Sequence, residues 1–139
     1  MTTYNFWDTN LLIYFFFDQS PKEKVLMKLY SQNPDYQVIS TQVVNECLNV
    51  AMKKKLISSD QTILKQLIGQ MESKFHIKHI TRFDITLATE IHCQYKFSYF
   101  DSLIIATALN YPCSVLFTED LHHRQILQQS LNVINLFLP

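Results

Sequence analysis

The chain has 139 residues, 47% of them apolar and 17% charged, which is the makeup of one folded domain with a buried core and not of a disordered segment. Twelve Lys and Arg balance twelve Asp and Glu, so no overall basic field gathers nucleic acid, and any such contact has to come from a local patch or from bound cations. The single glycine, Gly69, excludes Gly-rich phosphate loops and disfavours an all-β fold built on tight turns.

Cys47, Cys93 and Cys113 are odd in number and form no CxxC. That disfavours a disulfide framework or a zinc ribbon and suits a reducing cytosol. The N-terminal MTTYNFWDTN lacks a basic leader region, and the apolar run from Leu11 to Phe17 is too short to span a bilayer. The expectation is a soluble cytoplasmic protein of one domain, residues 1–139, without membrane association.

Tyr4 to Trp7 reads as a first strand with Asp8 at its carboxyl end, followed by a short helix, TNLLIYFFF, for which Asp8 also fits as an N-cap. Ser20-Pro21 opens a helix to about Tyr30, with Val25, Leu26 and Leu29 inward. Asn33-Pro34-Asp35 is a turn, Tyr36 to Ile39 a second strand, and Thr41 a plausible cap for a helix to about Lys54. Within that helix Glu46 lies beside Val43 and Val50, away from the Lys53-Lys54-Lys55 run, which suits a solvated helix C-terminus better than an RNA contact.

Asp60 to Lys74 is a helix with Ile63, Leu64, Leu67, Ile68 and Met71 at helical spacing. Phe75 to Ile80 is a third strand, in which His76 and His79 face opposite ways and cannot chelate one metal. A helix from Thr81 or Asp84 to Tyr95 places Ile85, Ala88 and Ile91 on one side. The stretch FSYFDSLIIATALNYPCSVLFTEDL then reads as an apolar helix, a turn, a buried strand and the start of another helix. His122 and His123 fall in the first turn of that last helix, where surface placement is expected, and Leu131 to Leu136 is a final, fifth strand. Strands alternating with helices from end to end predict an α/β domain with a mostly parallel five-stranded sheet and helices on both faces.

Asp101 shares a helix face with Ile104, Ile105 and Ala108, so its carboxylate is aimed along the apolar side. Burying it is costly unless something pairs with it. Asp101 and Asp120 each also fit as helix N-caps, and Glu119 as a solvated charge. In open parallel sheets, however, sites form beyond the carboxyl ends of strands where the strand order reverses. If the first and fourth strands are neighbours there, Asp8 and Asp120 lie close, and Glu46 and Asp101 ride helices that reach the same place. Two carboxylates about 4 Å apart repel by roughly 4 kcal/mol at an effective dielectric near 20. Four crowded acids therefore need a cation. All-oxygen ligands favour Mg²⁺ or Mn²⁺ over Zn²⁺, and such a site suits phosphodiester hydrolysis. Thr9, Asn10, Ser40 and Thr118 are placed to donate hydrogen bonds to the acids or to position water.

DTNLLIY, ISTQVVNE ending at Glu46, FSYFDSLIIATAL and VLFTEDLHH, in this order and separation, resemble the PIN-domain family, and most of all its VapC-type toxins, the ribonuclease halves of toxin–antitoxin pairs. The likeness covers nearly the whole chain, down to the closing VINLFLP. It implies a three-layer α/β/α sandwich and RNA cleavage with Mg²⁺ or Mn²⁺. Carried over, Asp8, Glu46, Asp101 and Asp120 would be the acidic quartet. It also implies a homodimer silenced by a small antitoxin, and Phe15, Phe16 and Phe17 fit such an interface or the core equally. Two residues depart from the family pattern: Arg124 stands where Gly is usual after the two His, and Cys47 where a larger apolar residue is usual.

The rival expectation is a PIN-like module that binds RNA or a partner without cutting, although a silent module has no need to bear the repulsion of an intact quartet. A receiver-like phosphoacceptor domain also gathers acids and Mg²⁺ at strand ends. It needs a Lys after a late strand, and none follows here.

Overall fold

The structure is a computed structural model that describes residues 3–18 and 20–139, so the first two residues of the N-terminal stretch lie outside it. In chain order the elements are β1 (Tyr4–Trp7), α1 (Thr9–Phe17), α2 (Pro21–Gln32), a 3-10 turn (Pro34–Tyr36), β2 (Gln37–Ser40), α3 (Thr41–Lys53), α4 (Gln61–Lys74), β3 (His76–Lys78), α5 (Arg82–Tyr95), α6 (Tyr99–Asn110), β4 (Cys113–Phe117), β5 (Ile126–Leu127) and β6 (Leu131–Ile134). Polar side chains fix the helix starts by accepting otherwise unpaired backbone N–H groups. Ser20 accepts from Lys22, Asp60 from Thr62 and Ile63, and Ser98 from Asp101. Thr81 and Asp84 form a reciprocal capping box, so Thr81 begins α5 and Asp84 lies inside it. Ser40, not Thr41, caps α3.

The sheet order is β3-β2-β1-β4-β6-β5, parallel throughout except for β5, and helices flank it. The chain runs outward from β1 through β2 to β3, then returns to place β4 on the other side of β1. The strand order therefore reverses between β1 and β4, which pair directly with Trp7 opposite Phe117. A crevice is expected beyond the carboxyl ends of these two strands.

Two expectations are corrected here. The sheet has six strands, because Ile126–Leu127 adds a two-residue antiparallel partner to β6. No helix follows Asp120; residues 118–125 are bends and turns. Local composition favours a helix there, but long-range pairing wins: the Arg124 N–H donates to Val133 O at 2.7 Å and the Val133 N–H to Gln125 O at 2.8 Å. Arg124 takes φ 68°, a left-handed conformation that favours glycine, the residue usual at this place in the family resembled above.

The core lies on both faces of the sheet. Phe6 and Trp7 of β1, Leu11 and Leu12 of α1, Ile39, Leu116 and Val133 are all but inaccessible. Trp7 buries its indole N–H by donating to Gln37 Oε1 at 2.7 Å, and Gln37 Nε2 donates in turn to Asn33 O. Phe15 is buried edge-on against Trp7 and Phe75, while Phe16 and Phe17 are half-buried against the same core. In α6, residues 102–108 are buried without a break. A helix that is apolar all round belongs in a core. Among the described residues no helix is long and apolar enough to cross a membrane.

Candidate active site

The crevice at the reversal between β1 and β4 is a cleft of ≈ 140 Å³, and its walls carry Asp8, Glu46, Asp101 and Asp120. Four acids from four separate segments thus line one cleft, with Asp8 and Asp120 brought there by the pairing of β1 with β4. Asp8 follows β1 directly: its N–H donates to Phe117 O at 3.0 Å and continues the β1–β4 ladder for one residue. Its carboxylate accepts from the Thr9 N–H at 2.7 Å, so Asp8 is also the N-cap of α1. Glu46 sits on α3, four residues from Gln42, and accepts from Gln42 Nε2 at 2.9 Å. Asp101 is in the first turn of α6, three residues after the Ser98 cap, so it is not itself the cap. Asp120 is exposed on the bend after β4, in no helix.

Thr118 joins two of these acids. Its hydroxyl donates to Asp8 Oδ2 at 2.6 Å and accepts from the Asp120 N–H at 3.1 Å. Thr118 is buried and its own N–H donates to Ile134 O on β6. Thr9 and Asn10 line the cleft as expected. Ser40 does not; its hydroxyl is committed to capping α3, where it accepts from Val43 N.

Asp8 is 9% exposed, and burial pushes its carboxyl from 3.8 up to about 6. The hydrogen bonds from Thr118 and the Thr9 backbone oppose that rise, whereas the charges of Asp120 and Asp101 add to it. A buried carboxylate facing two others is poised to accept a counter-charge. The donors are carboxylate oxygens with no thiol or imidazole among them, a set that fits a hard divalent cation. Among the described residues, no group of three or more His, Cys, Asp or Glu side chains is already drawn together as a metal site.

Sequence reasoning passed over two residues and misread a third, Glu119. Gln42 and Phe100 also line the cleft, and Gln42 Nε2 donates to the Phe100 carbonyl at 3.2 Å as well as to Glu46. The spacing of four between Gln42 and Glu46 on one helix was the available signal. Glu119 is not a free solvated charge: it accepts from the Tyr14 hydroxyl at 2.7 Å and pairs with Lys22 at 2.8 Å. Nothing in the sequence pattern marks that contact across about a hundred residues. His123 Nδ1 accepts from the Asn135 N–H at 2.9 Å, His122 is exposed, and the Lys53-Lys54-Lys55 run is exposed at the end of α3, outside the cleft. A larger open hollow of ≈ 540 Å³ lies beside Gln94, Tyr95 and Gln128, but no carboxylate, imidazole or amine lines it.

The fold and cleft together define an α/β domain with a carboxylate site at the reversal of strand order. The chain belongs to the PIN domain family, whose model matches residues 6–127. No curated protein sequence matches it. Among solved structures it is similar to a toxin–antitoxin complex from Klebsiella pneumoniae, with TM-score 0.70 and 20% identity over 96% of this chain and 98% of that one. It is also similar to VapC20 of Mycobacterium tuberculosis, described as a Sarcin-Ricin loop cleaving toxin, with TM-score 0.67 and 14% identity over 84% and 91%. A third likeness is to VapBC2 of Rickettsia felis bound to a DNA fragment from its promoter, with TM-score 0.68 and 16% identity over 96% and 100%. At these identities the likeness is one of fold.

Proposed function

We propose that this protein is a Mg²⁺- or Mn²⁺-dependent endoribonuclease and the toxin of a toxin–antitoxin pair. The observation that carries the reading is the meeting of Asp8, Glu46, Asp101 and Asp120 in one cleft, with Asp8 buried there against its like-charged neighbours. Asp8, Glu46 and Asp101 would hold the principal cation, and Asp120 would assist a second ion or the attacking water. When bound, the cation supplies an activated water and charge to offset that of the phosphate oxygens. The chain's own part is to hold the carboxylates in place. Thr118 orients Asp8 and restrains the Asp120 backbone, Gln42 orients Glu46, and Asp101 sits in the first turn of α6, which is buried from residue 102 onward. In-line attack by water would leave a 5′-phosphate and a 3′-hydroxyl.

Membership of the PIN family and a fold shared with structures of toxin–antitoxin proteins support a cognate antitoxin as partner. Homodimer formation and a cytoplasmic setting belong to the same reading. The deciding experiment is cleavage of total RNA by purified protein with Mg²⁺ or Mn²⁺, with and without chelator, followed by end mapping. Chelator, Asp8→Asn and Asp101→Asn are each expected to lower cleavage at least about a hundredfold, since each removes several kcal/mol of transition-state stabilisation. Full Mg²⁺-dependent activity in both variants would defeat the assignment. RNA binding without any cleavage would favour a silent binding module.

A further inference from the structure

Gln42 has both amide hydrogens engaged, one on Glu46 Oε1 at 2.9 Å and one on the Phe100 carbonyl at 3.2 Å. Both partners are acceptors, so turning the amide round would set oxygen against oxygen. The orientation is therefore fixed, and Gln42 Oε1 is left covered and without a hydrogen-bond partner. Thr9 Oγ1, on the wall of the same cleft, is likewise covered and unpartnered, and the Thr9 residue is 7% exposed. Unpaired buried polar atoms are uncommon in folded proteins, and each calls for an explanation, a bound water, ion or ligand among them. Beside them Phe100 is 64% exposed, an aromatic ring on the cleft lip that the core does not use. Exposed rings beside a phosphodiester-cutting site suit unstacked bases, because every base offers a π-face.

We propose that Gln42 and Phe100 form a nucleotide-recognition site on the cleft lip, in which a hydrogen-bond donor of the ribonucleotide beside the cut meets Gln42 Oε1 while its base stacks on Phe100. The donor is either the ribose 2′-hydroxyl or an exocyclic base amine; both would complete the valence of the same oxygen. The inference rests on the ribonuclease reading above and narrows its substrate to unpaired RNA. Access to Oε1 requires the atoms that cover it in the free protein to shift as the nucleotide enters, in the way side-chain rotamers commonly change at binding surfaces. Gln42 then links recognition to chemistry, since the same amide that senses the nucleotide holds Glu46.

The test is a cycle between protein and substrate, read as binding in an Asp8→Asn background so that the strand stays whole. The probe is a short fluorescent single-stranded RNA. One arm replaces single riboses by 2′-deoxyribose; the other replaces bases by analogues lacking the amine, such as inosine for guanosine. Removing the donor is expected to weaken binding about five- to tenfold in one arm. In a further Gln42→Leu variant that penalty is expected to shrink to within about twofold. Phe100→Ala is expected to weaken binding of every probe about tenfold, and Phe100→Trp to restore it. Circular dichroism and thermal melting verify that each variant is folded. A penalty that persists in Gln42→Leu, an absence of any penalty in either arm, or full binding by Phe100→Ala would each overturn the proposal. Absence of cleavage by wild-type protein, with this binding pattern intact, would remove the nuclease reading and leave Gln42 and Phe100 as a recognition site for unpaired RNA without a cut. Failure to bind any RNA would remove both.

Discussion

Lys22 on α2 holds Glu119 at 2.8 Å, and Glu119 is the residue between Thr118 and Asp120. The lysine also lies over the rings of Tyr14 and Phe137, at 4.6 and 5.1 Å from their centroids. The short segment after β4 is therefore fastened on one side to Asp8 through Thr118 and on the other to α1 and α2 through Glu119. Burial pushes the Glu119 carboxyl up, but hydrogen bonds from Lys22 and Tyr14 and the charge of Lys22 hold it below the usual range.

Loosening this fastening should misplace Asp120 without unfolding the protein. Glu119→Ala is expected to lower kcat for RNA about ten- to a hundredfold while KM changes little. Its thermal midpoint should barely move, since partly exposed ion pairs add little to stability. Glu119→Gln, which keeps an acceptor for the Tyr14 hydroxyl, should retain more activity than Glu119→Ala. Equal activity in wild type and Glu119→Ala would show that Asp120 needs no such support.

The raised carboxyl of Asp8 gives a pH dependence of definite sign. An unfolded chain protonates this group near 3.8, and the fold does so at about 6. The folded form therefore holds the proton more tightly. Its stabilising effect is fully present below the unfolded value and is lost as pH rises through about 6. The difference corresponds to about 3 kcal/mol between low and neutral pH for this group alone. Asp8→Asn in chelator should accordingly be more stable than wild type at about pH 7.5, by an amount that shrinks towards about pH 4. Urea unfolding of the two proteins at several pH values measures it, and a variant less stable than wild type at neutral pH would contradict it.

Asp84 behaves in the opposite way. It is fully buried on α5 and accepts from Lys78 Nζ at 2.6 Å, Asn110 Nδ2 at 2.8 Å and the Thr81 N–H at 2.9 Å. Burial pushes its carboxyl up, but these partners outweigh burial and hold it below the ordinary value. Its contribution is present above the unfolded value and is lost as pH falls through the depressed folded one. Asp84→Ala strands the Lys78 charge and should cost about 3 kcal/mol. RNA cleavage should survive in the variant at temperatures well below its midpoint. A loss below about 1 kcal/mol in urea would mean that water replaces the carboxylate.

Arg124 offers a gain. Its φ of 68° burdens a side chain with a Cβ, whereas glycine adopts it freely. Arg124→Gly should leave the fold unchanged and raise stability by up to about 1 kcal/mol, read as a higher urea midpoint. If cleavage falls at the same time, the guanidinium takes part in holding the substrate.

Much of this arrangement was legible because it is local. Helical spacing put Asp101 on the inward face of α6 and Glu46 among apolar neighbours on α3, and the strand-helix alternation implied a parallel sheet. The pairing of β1 with β4, on which the meeting of Asp8 and Asp120 depends, was an assumption of topology that the sheet order bears out. What sequence reasoning missed depends on contacts between distant segments. The segment after Asp120 has helix-forming residues, yet β6 captures its backbone. The start of α5 is open between Thr81 and Asp84 in the sequence, and the capping box that puts Asp84 inside the helix leaves its carboxylate to Lys78 and Asn110, partners that local pattern does not reveal. Gln42 and Glu119 look like ordinary surface residues until their partners arrive from α6, α1 and α2.

The two borders of the sheet are its shortest strands, three residues in β3 and two in β5. Neither exposes enough open backbone to template an added strand, so a chain this rich in apolar residues is protected from sheet-to-sheet growth. The same brevity constrains company: a partner protein gains little by extending the sheet and must instead grip helices or enter the acidic cleft.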